Sequence, residues 1–338
     1  MSLEANALPT FAGHQTFHPR FGWLKKGLDA VSNDPEIFSR PDAPVVLGVG
    51  KNMVEAIRFW GQAFKVITTD GKASNSRTVR YAPTKFGAAL LGDGGLDPYL
   101  EDSTSLWLLH WMLCAPVSGA PAWWLFSNEF NPVEFSDEML FDFLKEKIDA
   151  SMWKSPSSSS LLKDVDALLR MYTRRNAKGR QTIDDMLDSP FRDLGLILES
   201  ATRPGQYRIN GNAKPTLSGA AVLLAALDYI AMFDPEAKTI SFTRLAYEDN
   251  SPGKVFRIPL EVLSDLLVES SQNVGGLTVA NPGGVQQLVL KDEPGALAAM
   301  VATNHYQASD SHPADWQLVG LTGRNSVNGS ATLFEVSA

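Results

Sequence analysis

Residues 11–26 read FAGHQTFHPRFGWLKK, the densest group of side chains able to do chemistry anywhere in the chain. His14 and His18 offer two imidazoles that can transfer protons near neutral pH. Gln15 is a polar neighbour, and Arg20, Lys25 and Lys26 supply three fixed positive charges for an anionic group. The two histidines are four residues apart, which would put them on one face of a helix. Pro19 argues against that, because the residue before a proline is pushed towards extended geometry. A loop leading into a helix over residues 21–31, with Pro19 near its start, is the expectation. A purely structural role for a histidine pair in such a loop is the alternative. A metal site there would need carboxylates from elsewhere in the chain.

The element that would place these side chains follows at once. In residues 47–67, LGVGKNMVEAIRFWGQAFKVI, Met53, Ile57, Trp60, Phe64 and Ile67 recur at the spacing of one helical face. Lys51, Glu55, Arg58, Gln62 and Lys65 occupy the opposite face. The order is helix, short apolar helix with Asp42 as N-cap, Gly48-Val49-Gly50 turn, amphipathic helix, then strands at 66–69 and 78–82. That is how a winged helix-turn-helix reads. Lys51, Asn52, Arg58, Gln62 and Lys65 are then the expected nucleic-acid-contacting residues, joined by Lys72 and Arg77 in the wing loop. An ordinary surface helix is the competing reading. The Gly48-x-Gly50-Lys51 turn is not a phosphate-binding P-loop, since it lacks the Gly-Lys-Ser/Thr ending.

The 338 residues carry a net charge of −8 and a single cysteine, Cys114. One cysteine excludes a disulfide framework and a cysteine-built zinc site, and it fits a reducing cytoplasm. No apolar run reaches the length of a membrane span, and no secretory leader is apparent. The overall acidity hides a local excess. Residues 11–92 hold eleven Lys and Arg against six Asp and Glu. A second basic cluster, Arg170, Arg174, Arg175, Lys178 and Arg180, contains no acid. It serves either as a further phosphate-contacting patch or as complement to a helix dipole.

Beyond the first 95 residues, four tryptophans (Trp107, Trp111, Trp123 and Trp124) mark an apolar core, with His110 among them. Helices are expected at 135–148, 161–172, 217–233 and 260–267, and strands at 207–209, 277–280 and 287–290. The fold class expected is therefore mainly α with small β-hairpins (α+β). The expected domains are a winged helix-turn-helix domain over 1–95, a Trp-rich helical domain over 96–182, and a helix-and-hairpin domain over 183–306 in which a second winged-helix-like unit is one reading. A polar tail completes the chain at 307–338.

Several ordered motifs resemble those of a bacterial family long labelled a domain of unknown function and found in DNA phosphorothioation gene clusters. They are GHQTF at 13–17, RFGWLKK at 20–26, LGVGKNM at 47–53, DPYLED at 97–102, KDVD at 163–166, RMY at 170–172, SPF at 189–191, LGLI at 194–197 and SPGKVF at 251–256. Together they span residues 11–306. The resemblance implies a protein that binds double-stranded DNA and nicks one strand, so that sulfur-insertion machinery reaches a backbone phosphate. It also implies work alongside a sulfur-transfer ATPase and, indirectly, a cysteine desulfurase.

Hydrolytic nicking needs an activated water, charge stabilisation at phosphorus and protonation of the leaving oxygen. On that reading His14 or His18 is the general base or acid, Arg20 with Lys25 or Lys26 holds the phosphate, and Gln15 orients water. Mg²⁺ or Mn²⁺ is expected from nuclease chemistry generally, with Asp164 and Asp166, or Asp184, Asp185 and Asp188, as available donors. No organic cofactor is expected. The alternative from another class is a non-enzymatic winged-helix adaptor or regulator that recruits sulfur-transfer partners.

Overall fold

A computed structural model of the chain describes residues 2–72, 78–173, 189–200 and 202–306, and for residues 71 and 72 the backbone alone. The expectations placed on the side chain of Lys72, on Arg77, Arg174, Arg175, Lys178 and Arg180, on Asp184, Asp185 and Asp188, and on the tail from 307 lie outside the described residues. Among the described residues the protein is α+β, with helices predominating over small sheets, the two three-stranded ones antiparallel.

In chain order the elements are α1 (Leu3–Asn6), α2 (Trp23–Asn33), α3 (Ala43–Leu47), α4 (Lys51–Ala63), β1 (Ile67–Lys72), β2 (Val79–Pro83), α5 (Lys85–Leu91), α6 (Ser103–Cys114) and α7 (Pro121–Asn128). There follow β3 (Glu134–Ser136), α8 (Asp137–Asp149), α9 (Ser158–Tyr172), β4 (Ile197–Glu199), β5 (Gln206–Ile209) and α10 (Gly219–Phe233). The chain continues with β6 (Thr239–Ser241), α11 (Phe242–Tyr247), α12 (Pro252–Phe256), α13 (Leu260–Ser271), β7 (Leu277–Ala280), β8 (Gln287–Leu290) and α14 (Pro294–Tyr306).

Local chemistry accounts for many of the boundaries. Ser136, Ser157, Ser218, Ser241 and Ser251 each accept the backbone N–H three residues on, capping α8, α9, α10, α11 and α12. Each such cap is typically worth ~1 kcal/mol. The serine-rich stretch before residue 161 thus starts a helix rather than linking domains. Between α3 and α4 the chain turns on Gly48, whose φ of 64° lies in the left-handed region that glycine enters without a Cβ penalty.

The helices and sheets pack as two compact units, residues 1–82 with 113–210, and residues 83–112 with 211 onward. A linear division at residues 95 and 182 does not coincide with them, because the tryptophan-rich stretch is shared out. Trp123 and Trp124 are buried in the first unit and Trp107 and Trp111 in the second.

In the first unit, α4 buries Val54, Ile57 and Trp60, and α9 buries Leu161, Val165, Leu168 and Leu169. The three-stranded sheet has the order β3-β5-β4, with Phe135 opposite Tyr207 and Ile197 opposite Ile209. In the second unit α10 is buried from Ala221 to Ile230 and packs against α13 and α14. Its sheet has the order β6-β8-β7, with Leu277 opposite Leu290.

His110 is a core residue of the second unit. It is fully buried, and its Nε2–H donates to the Val255 carbonyl at 3.0 Å. Burial, helped by the nearby positive charges of Arg257 and Lys214, pushes its pKa from 6.5 down to about 4. Lys214 donates to the carbonyls of Arg257 and Asn212 at 2.7 and 3.0 Å, and burial lowers its pKa to about 7. The folded protein keeps His110 neutral where the unfolded chain would protonate it. Stability from this source is therefore complete above pH ~6.5 and is lost as pH falls towards about 4, at up to ~1.4 kcal/mol per pH unit. Urea unfolding at pH 7 and pH 5 checks this. The loss between the two is expected to be smaller in His110→Gln than in wild type, and equal losses would contradict it.

Candidate nucleic-acid interface

Residues 11–17 are held in tight turns. The Gln15 N–H donates to the Ala12 carbonyl and the Phe17 N–H to the His14 carbonyl, both at 3.0 Å. Ala12 and Gln15 take left-handed φ values of 53° and 63°. Gly13 is required by contact: a Cβ there would lie 2.5 Å from the Phe59 ring.

The turns deliver His14 into the core. It is fully buried, stacked on Trp60 at 5.6 Å between ring centroids and edged by Phe59 and Trp123. Its Nε2 meets Asp164 Oδ1 at 2.7 Å, and the same oxygen accepts the Ala12 N–H at 2.9 Å. Burial pushes the Asp164 carboxyl upward, while His14 and the Ala12 N–H pull it down. His14 Nδ1 is buried without a hydrogen-bond partner, so the ring is held through Nε2 alone.

The geometry places the other expected site residues as follows. His14 has no solvent-facing atom from which to act as general base, and His18, 7% exposed, is also turned inward. Asp164 Oδ1 accepts from His14 and Ala12 while its Oδ2 is buried without a hydrogen-bond partner, and Asp166 is paired with Arg170 at 3.0 Å. Lys65 does not lie on the outer face of α4. The helix ends at Ala63, Lys65 adopts a φ of 56°, and its buried Nζ donates to the Ala115 carbonyl at 2.8 Å. Arg58 is half-buried, donating to the Tyr81 hydroxyl at 3.2 Å and paired with Glu55. Lys25 pairs with Asp29 at 2.6 Å. Gln15 and Gln62 are half-buried.

What the turns do bring together is an open cleft of about 750 Å³ in the first unit, lined by residues 17 and 20–23, Lys26 and residues 48–53. Arg20 is 7% exposed, with its guanidinium carbon 5.5 Å from the Phe17 ring and 5.3 Å from the Trp23 ring. Phe17 and Trp23 pack edge to face at 6.0 Å, and a cation beside both rings is held in place by their quadrupoles. The Trp60 indole N–H donates to the Phe17 carbonyl at 3.0 Å and fixes that wall to α4. Lys26 Nζ donates to the Leu47 carbonyl at 2.9 Å, and Lys51 and Asn52 are exposed on the first turn of α4. The lining holds three cations and no Asp, Glu or His. Phe21 and Val49 are wall residues that charge and periodicity alone did not single out.

Residues 11–306 match the model of the family described as "Protein of unknown function (DUF4007)". The chain belongs to this family. It is also similar to a crystal structure of SspB, at 35% identity over 93% of this chain and 94% of that one, with a TM-score of 0.85. A magnesium ion-bound crystal structure of SspB is equally similar in identity and coverage, with a TM-score of 0.86. No curated protein matches the chain. The match to the DUF4007 family takes in the turns at 11–17, both walls of the cleft and Asp164.

Removing one partner of a buried pair costs ~3–5 kcal/mol, because the other is left unsatisfied. Asp164→Ala should lower the free energy of unfolding by that order in urea titration. A loss below ~1 kcal/mol would contradict the role of Asp164 as the anchor of residues 11–17.

Proposed function

We propose that the protein binds double-stranded DNA through this cleft and the exposed start of α4, and serves as the strand-nicking component of a phosphorothioation system. The observation that carries the reading is the cleft itself, three cations without an acid, on a chain that is otherwise acidic. A locally basic surface suffices for phosphate contact, since the attraction is set within a Debye length. The order α2, α3, α4, β1, β2 supports a winged-helix arrangement in which the first turn of α4 faces DNA. The likeness to SspB supports a place beside a sulfur-transfer ATPase and, indirectly, a cysteine desulfurase.

The likeness to a magnesium ion-bound SspB supports Mg²⁺ as the metal. Among the described residues no group of three His, Cys, Asp or Glu could hold it, so these residues do not fit a protein-built cage. What they supply is cationic: Lys26 and Lys51 neutralise phosphate oxygens, and Arg20 fixes the aromatic wall beside them. His14 and Asp164 act as positioning residues, holding the wall from behind.

A second reading, a non-enzymatic adaptor that recruits the sulfur-transfer proteins, is favoured by the lack of any carboxylate or imidazole in the lining. Supercoiled plasmid incubated with the protein, with and without Mg²⁺ or Mn²⁺, separates the two. Open-circular product is expected, and intact but retarded plasmid would instead establish the adaptor. Lys26→Ala with Lys51→Ala should flatten the plot of log K against log salt by about two phosphate contacts, a slope change of roughly 1.8. An unchanged slope would remove the cleft from the DNA interface.

A further inference from the structure

A phosphate alone would leave most of the cleft empty. Its volume of about 750 Å³ falls in the range of roughly 300–1,000 Å³ typical of sites that enclose ring-bearing ligands. Its walls include three aromatic rings, Phe17, Phe21 and Trp23. Phe21 is 53% exposed, an apolar ring presented to solvent between cations. A Cβ on Gly22, Gly48 or Gly50 would meet nothing within 4 Å, so the lining is open at these positions. Arg20 locks Phe17 and Trp23 in position, so that wall is organised before any ligand arrives.

We propose that the cleft receives one unstacked nucleotide of a DNA strand, its base against the exposed Phe21 ring, its phosphate beside Lys26 and Lys51. This rests on the DNA-binding reading above and adds to it a site for a base. Aromatic faces bind bases of any sequence by stacking, whereas a base inside a duplex has no free face to offer. The strand must therefore open at the bound position, at a cost that is least where the base is already unpaired.

Fluorescence anisotropy with three probes tests this: a 20-base-pair duplex, the same duplex with one central mismatch, and the single strand. The wild-type protein is expected to prefer the mismatched duplex to the perfect one by at least about tenfold. Phe21→Ala should abolish that preference, and Phe21→Trp should keep it. Because Phe21 is half in solvent, both variants should fold, which circular dichroism verifies. Equal affinity for perfect and mismatched duplex, or a preference that survives in Phe21→Ala, overturns the base site while leaving salt-dependent duplex binding in place. Failure of all three probes to bind overturns the DNA-binding reading as well.

Discussion

The carboxylate of Asp164 is the constraint on which the candidate site depends. One of its oxygens accepts both the Ala12 N–H and the imidazole of His14, at 2.9 and 2.7 Å. It thereby ties a loop with two left-handed residues to α9, some 150 residues away in sequence. Inside an apolar cage of Trp60, Trp123 and Phe59, a hydrogen bond of this kind is worth more than at the surface and is correspondingly costly to break. With His14 seated, Phe17 is brought to the Trp60 N–H, and Arg20 falls beside Phe17 and Trp23. Each step narrows the freedom of the next until the cleft wall is set.

That sequence of contacts separates support from chemistry. The residues most suggestive of catalysis by type, His14 and His18, are turned away from solvent, and the lining residues that face it include Lys26, Lys51 and Phe21. Such a surface suits binding and charge stabilisation. On the proposed reading, a phosphate beside Lys26 and Lys51 would meet a preformed aromatic wall, which lowers the ordering cost of binding because little has to move.

Much of the local structure was legible in the sequence because its causes are local. The face of α4, the start of α9 at the serine-rich stretch, and the strands at 277–280 and 287–290 follow from periodicity and capping chemistry within a few residues. Lys65 departs from the helical spacing for a local reason too: α4 ends at Ala63, and Lys65 lies two residues on, in a turn with positive φ. The pairing of His14 with Asp164 leaves no local trace, since motifs 13–17 and 163–166 lie some 150 residues apart in sequence and meet only in the folded core. The sharing of the tryptophans between two units is likewise a property of long-range packing. Phe21 looked like an ordinary helix-start residue; its exposure became meaningful only beside the turn at 48–50.

The DNA-binding surface proposed above consists of residues 17–26 and 48–53. Amide hydrogen exchange of the protein, alone and saturated with duplex DNA at low salt, tests it most directly. Slowed exchange concentrated in those two segments is the predicted result. Protection elsewhere, with these segments exchanging as in the free protein, would contradict the account.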